Sequence, residues 1–164
     1  MKTTTSTALT VAGFDPSGGA GLQADLKTFS AFGVSGKSIA TSITIQNTTG
    51  VLGAHDISPE IVERQLKVIL EDGKPGAVKI GMLGNELIIK TLVRLLRRYR
   101  IKKLVVDPVI YSSSGKSLLS PQGIQVMKKE LLPITFLLTP NLNEAEILSG
   151  VKIKNASDRI RAAR

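Results

Sequence analysis

The sequence predicts an α/β fold built on a mostly parallel sheet. Short apolar runs rich in β-branched residues alternate with amphipathic segments of helical spacing along the 164 residues, which is the pattern of βαβ units. Several helical segments open with a cap residue followed by Pro or an acid. Glycines and polar residues collect just past the apolar runs, where a parallel sheet binds its ligands.

The elements follow in order. Residues 8–12 (A-L-T-V-A) read as a short buried strand ending at Gly13, and a Gly/Pro/Ser loop covers 13–21. Residues 22–32 have helical spacing, with Leu22, Leu26, Phe29 and Phe32 on one side and Gly33 as the stop. Residues 38–45 are β-branched and read as a strand, and 51–57 as another short one. Ser58-Pro59-Glu60 starts a helix that Ile61, Gln65, Val68 and Ile69 carry to Gly73. Residues 77–80 form a strand ended by Gly81, and Asn85 caps a helix running through Tyr99. A strand at 104–107 precedes Pro108, and Ser120-Pro121 starts a helix to about Leu131. A strand at 136–139 is closed by Pro140, a short helix at 143–148 stops at Gly150, and Ser157 caps one more helix. No linker or internal repeat interrupts this order, so residues 1–164 read as a single domain.

Composition narrows the function. A hydrophobic content of 42% excludes disorder for lack of a core. The absence of Cys excludes disulfides, thiolate metal sites and a thiol nucleophile, and the single His55 excludes a multi-His metal centre. The net charge of +9 invites a nucleic-acid reading, but the charge is concentrated in residues 94–103 and 152–164, and the rest is nearly neutral. The first cluster interleaves with Leu95, Leu96, Tyr99 and Ile101, as expected for the solvated end of an amphipathic helix. With no Trp and few aromatics, no nucleic-acid partner is expected. No apolar run approaches the ~18 residues of a membrane span. Residues 1–7, with one Lys and several Thr, do not read as a secretory leader, so a cytoplasmic protein is expected.

Two familiar patterns need testing against context. A-F-G-V-S-G-K-S at 31–38 fits a relaxed phosphate-loop pattern, but that loop must join a strand to a helix, and here the order is reversed. Lys37 then reads as a surface turn residue. G-A-G-L-Q-A at 19–24 follows a strand and opens a helix, as a dinucleotide turn does. The acid expected roughly 20 residues on is replaced by Gln46 and Asn47, which leaves NAD binding a minor alternative.

The segment V-A-G-F-D-P-S-G-G-A-G-L-Q-A-D at 11–25 carries more information. Its glycines allow close backbone approach to a ligand. Asp25 lies in the first helical turn, on the loop side, though the helix dipole alone favours an acid there. Gln46 can turn an amide toward a ligand or simply cap a loop.

Residues 11–29 resemble the N-terminal signature of the hydroxymethylpyrimidine and phosphomethylpyrimidine kinase family of thiamine biosynthesis. The similarity continues through Gln46-Asn47-Thr48, Lys79-Ile80-Gly81-Met82-Leu83, Val106-Asp107-Pro108-Val109 and Thr139-Pro140-Asn141-Leu142-Asn143-Glu144-Ala145. It implies a ribokinase-like fold, three layers in αβα order. It implies ATP-dependent phosphorylation of 4-amino-5-hydroxymethyl-2-methylpyrimidine and its monophosphate, with Mg2+ and ATP. Pyridoxal or pyridoxine, which also carry a hydroxymethyl group on a nitrogen ring, are the alternative substrates, and a homodimer is compatible with the family. Carried over by position, the backbone at Gly13, the Asp25 carboxylate and the Gln46 amide would hold the aminopyrimidine, with Met82 and Val109 as apolar walls. Asp107, Asn141 and Glu144 would lie near the phosphates, with Asp107 and Glu144 holding magnesium directly or through water. Simpler roles exist: Met82 and Val109 as core, Asp107 as a strand-end cap, and Glu144 as a dipole partner.

The family also implies a longer chain, in which a Lys-Gly-Gly strand end, most of the nucleotide pocket and a Gly-Thr-Gly helix start lie downstream. That helix start brings the anion hole and the catalytic base, Cys or Asp. Residues 1–164 therefore read as the substrate-binding N-terminal part of the domain, truncated at the C-terminus, with no catalytic base of its own. Losing one oxyanion donor already costs ~10²–10³-fold, so the isolated chain is expected to be inactive and to expose a sheet edge. A non-catalytic pyrimidine-binding or regulatory module, or half of a split enzyme, are the competing readings.

Overall fold

The structure, a computed structural model, describes residues 6–164. Most of the leader reading of residues 1–7 falls outside the described residues. The elements run β1 (Thr7–Phe14), α1 (Gly21–Ala31), β2 (Ser35–Asn47), β3 (Gly50–Asp56), α2 (Pro59–Asp72), β4 (Ala77–Ile80), α3 (Glu86–Arg98), β5 (Leu104–Val106), α4 (Pro121–Val126), β6 (Leu137–Leu138), α5 (Leu142–Ser149) and α6 (Ala156–Ala162). One six-stranded sheet has the order β3-β2-β1-β4-β5-β6. Every neighbouring pair is parallel except β2 and β3, which form an antiparallel hairpin. Strand order reverses direction at β1: the chain first moves out to β2 and β3, then crosses back to β4 and beyond. Right-handed crossovers therefore put α1 on one face and α2, α3 and α4 on the other, where α2 packs on α3 and α3 on α4. This is the expected α/β/α layering.

The core lies under α2 and α3. Leu9, Val11, Ile39, Val78, Ile80, Leu104 and Val106 are fully buried in one cluster with Val62, Leu66, Ile88, Ile89, Leu92, Leu95 and Leu96. Each such side chain contributes ~1.5–3 kcal/mol by burial, so truncating the central Leu92 to Ala should cost ~2–5 kcal/mol. The basic end of α3 is solvated as its sequence suggests, and Arg94 reaches Glu63 of α2 at 2.6 Å.

Local signals set the helix starts. Ser58 accepts a hydrogen bond from the Ile61 amide, Asn85 from the Leu87 and Ile88 amides, and Ser120 from the Gly123 amide. Several expectations are corrected. Phe32 is 81% exposed, because the chain leaves α1 at Ala31 and turns away. In α2 the buried face is Val62, Leu66 and Leu70, while Ile61 and Val68 point to solvent. Lys37 is not in a turn: β2 starts at Ser35, and Lys37 pairs with Asp72 at 2.7 Å. The helix from Pro121 is α-helical only to Val126 and continues as a π turn over Met127–Leu131 and a 3₁₀ turn over Leu132–Ile134. The last strand is just Leu137–Leu138, and α6 is capped by Asn155 rather than Ser157.

One irregularity shapes the ligand end of the sheet. β1 and β2 pair Ala12 with Ala40 but Gly13 with Ser42, so Thr41 is an extra residue in β2. Thr41 is fully buried, and its hydroxyl donates to the Met82 carbonyl at 2.5 Å. That bond ties β2 to the loop after β4.

Candidate active site

A cavity of about 280 Å³ opens at the carboxyl ends of β1, β2, β4 and β5, where the strand order reverses. This is the place an open parallel sheet offers a ligand. Gly13, Asp25, Gln46, Met82, Asp107 and Val109 all line it. Of the site residues proposed from sequence, these six are brought together.

Glycine geometry makes the floor. Gly21, the first residue of α1, has φ +56, and a Cβ there would sit 2.2 Å from the Gly13 carbonyl oxygen. Only glycine lets α1 start this close to the end of β1. A Cβ on Gly13 would lie 3.0 Å from the Met82 sulfur, so Met82 packs directly over that backbone. Met82 is 7% exposed and belongs to the wall rather than the deep core. Val109 has φ +37, a rare conformation for a β-branched residue. Such strain is typically found where a site fixes a side chain, and Val109 lines the cavity.

Asp15, which sequence reasoning passed over, organises the loop. It is 3% exposed. One carboxylate oxygen accepts from the Ser17 amide and hydroxyl, the other from the Gly19 and Ala20 amides. Burial pushes its carboxyl up, but the bonds from Ser17, Ala20 and Gly19 outweigh this and hold it below the ordinary value of 3.8. The Gly19 and Ala20 amides are thus directed at an internal carboxylate, where a dinucleotide turn would aim them at a pyrophosphate. An Asp two residues before Ser is an Asx-turn signal, which would have identified Asp15.

Lys79 is the second missed residue. Its ammonium lies 3.1 and 3.0 Å from the two Asp25 oxygens and 3.7 Å from Asp107. Asp25 Oδ2 also accepts from the Thr10 hydroxyl at 2.5 Å. A lysine inside a β-strand reads as surface from sequence, and only the sheet order places it between β1 and β5. Gln46 keeps its amide at the cavity and accepts from the Thr44 hydroxyl at 3.2 Å.

Asn141 and Glu144 do not reach this cavity. They form a capping box on α5: Asn141 accepts from the Glu144 amide, and Glu144 Oε2 accepts from the Asn141 amide. Glu144 Oε1 accepts from the Ile110 amide at 3.2 Å, which ties the loop after β5 to α5. Glu144 is 4% exposed. Its charge still reaches Asp107. Burial raises the Asp107 carboxyl above its ordinary value, Lys79 opposes that, and the charges of Glu144 and Asp25 add to it. Among the described residues no group of three His, Cys, Asp or Glu side chains could hold a metal ion. Asp107 lines the cavity with its side chain 40% exposed, and a hard cation there would take that carboxylate with water and ligand oxygens completing its shell. Each Glu144 oxygen accepts one backbone amide and keeps a second lone pair, and the side chain is set back from the cavity lining.

The family model for phosphomethylpyrimidine kinase matches residues 15–164. The hydroxymethylpyrimidine/phosphomethylpyrimidine kinase of Bacillus subtilis is 43% identical over 156 residues, covering 95% of this chain and 58% of that protein. The crystal structure of phosphomethylpyrimidine kinase from Clostridium difficile superposes with a TM-score of 0.90 at 48% identity, covering 96% of this chain and 68% of that one. The pyridoxal kinase of Staphylococcus aureus, solved with pyridoxal, gives a TM-score of 0.86 at 37% identity over 97% of this chain and 59% of that one. The chain spans less than two thirds of the length of the curated relatives it matches. The sheet order and the helix layers are those of the ribokinase-like kinases. A glycine-floored cavity at the switch point, on a fold shared with these enzymes and matched by their family model along nearly its whole length, means that the chain belongs to the phosphomethylpyrimidine kinase family.

Proposed function

We propose that these residues hold the ring of an aminopyrimidine bearing a hydroxymethyl group, 4-amino-5-hydroxymethyl-2-methylpyrimidine or its monophosphate, for phosphorylation by ATP in thiamine biosynthesis. The observation that carries this reading is the convergence of Gly13, Asp25, Gln46, Met82 and Val109 on one cavity of about 280 Å³. In this reading the Asp25 carboxylate accepts from the ring amino group, and the Gln46 amide and the Gly13 backbone complete its polar edge. Met82 and Val109 clamp the ring and exclude water. Fixing the hydroxymethyl group in one orientation is the part of phosphoryl transfer that a rigid pocket supplies. Asp107 stands at the phosphate side. Magnesium, when bound there by Asp107, with Glu144 adding charge at a distance, would neutralise phosphate oxygens.

The 164 residues contain no Gly-Thr-Gly segment and no Cys. They are therefore expected to bind the pyrimidine without turning it over. Calorimetric titration of the folded chain with the hydroxymethylpyrimidine tests the reading. Heat is expected, reduced roughly tenfold in affinity by Gln46→Leu, which removes a ring-facing amide. Absence of heat from the unmodified chain would overturn it, and steady product from ATP and magnesium would overturn the expectation of no turnover.

A second substrate is favoured by the S. aureus relative solved with pyridoxal. Pyridoxal presents a hydroxymethyl group on a ring of similar size. Competition between the two ligands in the same titration ranks them, and tighter binding of the pyrimidine is expected.

A further inference from the structure

We propose that Lys79 is a positioning residue for ring recognition, acting through Asp25. The inference rests on the cavity being a ring site and concerns how that site is kept in order. Lys79 lies on β4, and Thr10, its paired residue on β1, holds the same carboxylate from the other side. Asp25 Oδ2 receives both the Thr10 hydroxyl and the ammonium, whereas Oδ1 receives the ammonium alone. Two donors from two neighbouring strands fix the carboxylate plane and leave Oδ1 with the freer lone pairs. An incoming N–H then meets an oxygen already oriented, with no rotamer to freeze. Distance decides which acid Lys79 serves. Both Asp25 contacts are about 3 Å, within hydrogen-bond range, while Asp107 at 3.7 Å is an ion pair without one.

An independent feature supports the assignment. Gly81 follows Lys79 by two residues, on the same side of the chain. A Cβ on Gly81 would lie 3.2 Å from the Lys79 ammonium and 3.1 Å from the Ala12 Cβ. The missing side chain leaves the space in which the ammonium folds back toward α1. Gly81→Ala thus crowds the ammonium without removing its charge.

The test is a double-mutant cycle on the 164-residue chain, read by calorimetric affinity for the hydroxymethylpyrimidine and by the 13C carboxyl resonance of Asp25 without ligand. Lys79→Met should weaken binding roughly tenfold, as expected for loss of a charge-assisted contact. It should add nothing in an Asp25→Asn background, and it should shift the Asp25 resonance. Gly81→Ala should shift the same resonance in the same direction to a smaller extent. Additive losses in the cycle, or an Asp25 resonance unmoved by Lys79→Met, would overturn the proposal. If Lys79→Met does not fold, Gly81→Ala decides: an unmoved resonance overturns the proposal, and a shifted resonance with weakened binding supports it. If the unmodified chain binds no pyrimidine, the ring reading fails, and the Lys79 tether then stands or falls on the resonance alone.

Discussion

Two concave regions of the molecule invite comparison. The cavity at the ends of β1, β2, β4 and β5 holds about 280 Å³. A groove beside β6, α5 and α6 is larger, about 720 Å³, lined by Leu132, Leu138, Leu142, Leu148 and Ile153 together with Lys128, Arg159, Arg161 and Arg164. The smaller region is the better site. Its walls come from four strands, and Asp25, Lys79 and Gln46 already hold hydrogen-bond partners within the fold before any ligand arrives. The groove borders the sheet edge, where Phe136, Leu137 and Leu142 are 73, 50 and 53% exposed. Its nearby polar pair, Asn141 and Glu144, is committed to capping α5. Convergent, pre-bonded polar groups distinguish a site from an indentation; volume does not.

The sharpest way to break the smaller region is Gly21→Ala. Left-handed backbone and a clash with the Gly13 carbonyl act together, and a loss of about 3 kcal/mol or more is expected. Gly33→Ala is the control. Its φ is +68, but nothing lies within 4 Å of its Cβ position, so the expected loss is ~1 kcal/mol. Denaturant melts of both variants measure the difference, and equal losses would refute the contact argument.

Next in size is Glu144→Ala, on the side of the groove. It strands the Asn141 and Ile110 amides, and a loss of about 2 kcal/mol is expected. Pyrimidine affinity should stay within about twofold, because Glu144 does not line the cavity. A large affinity loss in a folded Glu144→Ala chain would show that the two regions are not separate.

Asp15→Asn should cost ~1–2 kcal/mol, since one of two accepting oxygens becomes a donor facing donors. The Asp15 carboxyl is held below 3.8 in the fold. Its stabilisation is therefore present above the unfolded value and is lost as pH falls through the lower folded one. The melting-temperature gap between the native chain and Asp15→Asn should close on acidification below pH 3.8.

The smallest effect is at the surface, far from both regions. Hydrogen bonds from Arg94 and Lys67 hold Glu63 down to about 2 against its usual 4.5. The sign is the same: stabilisation present above 4.5 and lost as pH falls toward 2. Solvent screening keeps exposed pairs weak, so Glu63→Gln should move the melting temperature only slightly at neutral pH and by less still at pH 2.

The sequence was legible where structure is local. Ser58-Pro59, Asn85 and Ser120-Pro121 mark helix starts because a cap and its amide lie within three residues of each other. The cavity's glycines and Gln46 were legible because strand ends in a parallel sheet converge. Burial was harder. Phe32, Ile61 and Val68 fit an apolar spacing, yet no neighbouring element covers them, and periodicity cannot say which stripe meets a partner. Lys79 and Asp15 were missed for the same reason: each acquires its role from groups on other elements or from a folded loop. Asn141 and Glu144 carry a capping-box pattern, three residues apart, and the fold uses it to start α5.

The extra residue Thr41 acts on β2 as a frameshift acts on a message. Up to that point odd positions are buried, as at Ile39 and Thr41; beyond it even ones are, as at Ser42 and Thr44, while Ile43 and Ile45 face solvent. The bulge absorbs the insertion: without Thr41, Ala40 and Ser42 would be neighbours in an unbroken alternation, and Ser42, Thr44 and Gln46 would keep the face they have now. Substitutions that alter ligand preference along this strand therefore fall at even positions beyond the insertion, where Thr44 and Gln46 line the cavity.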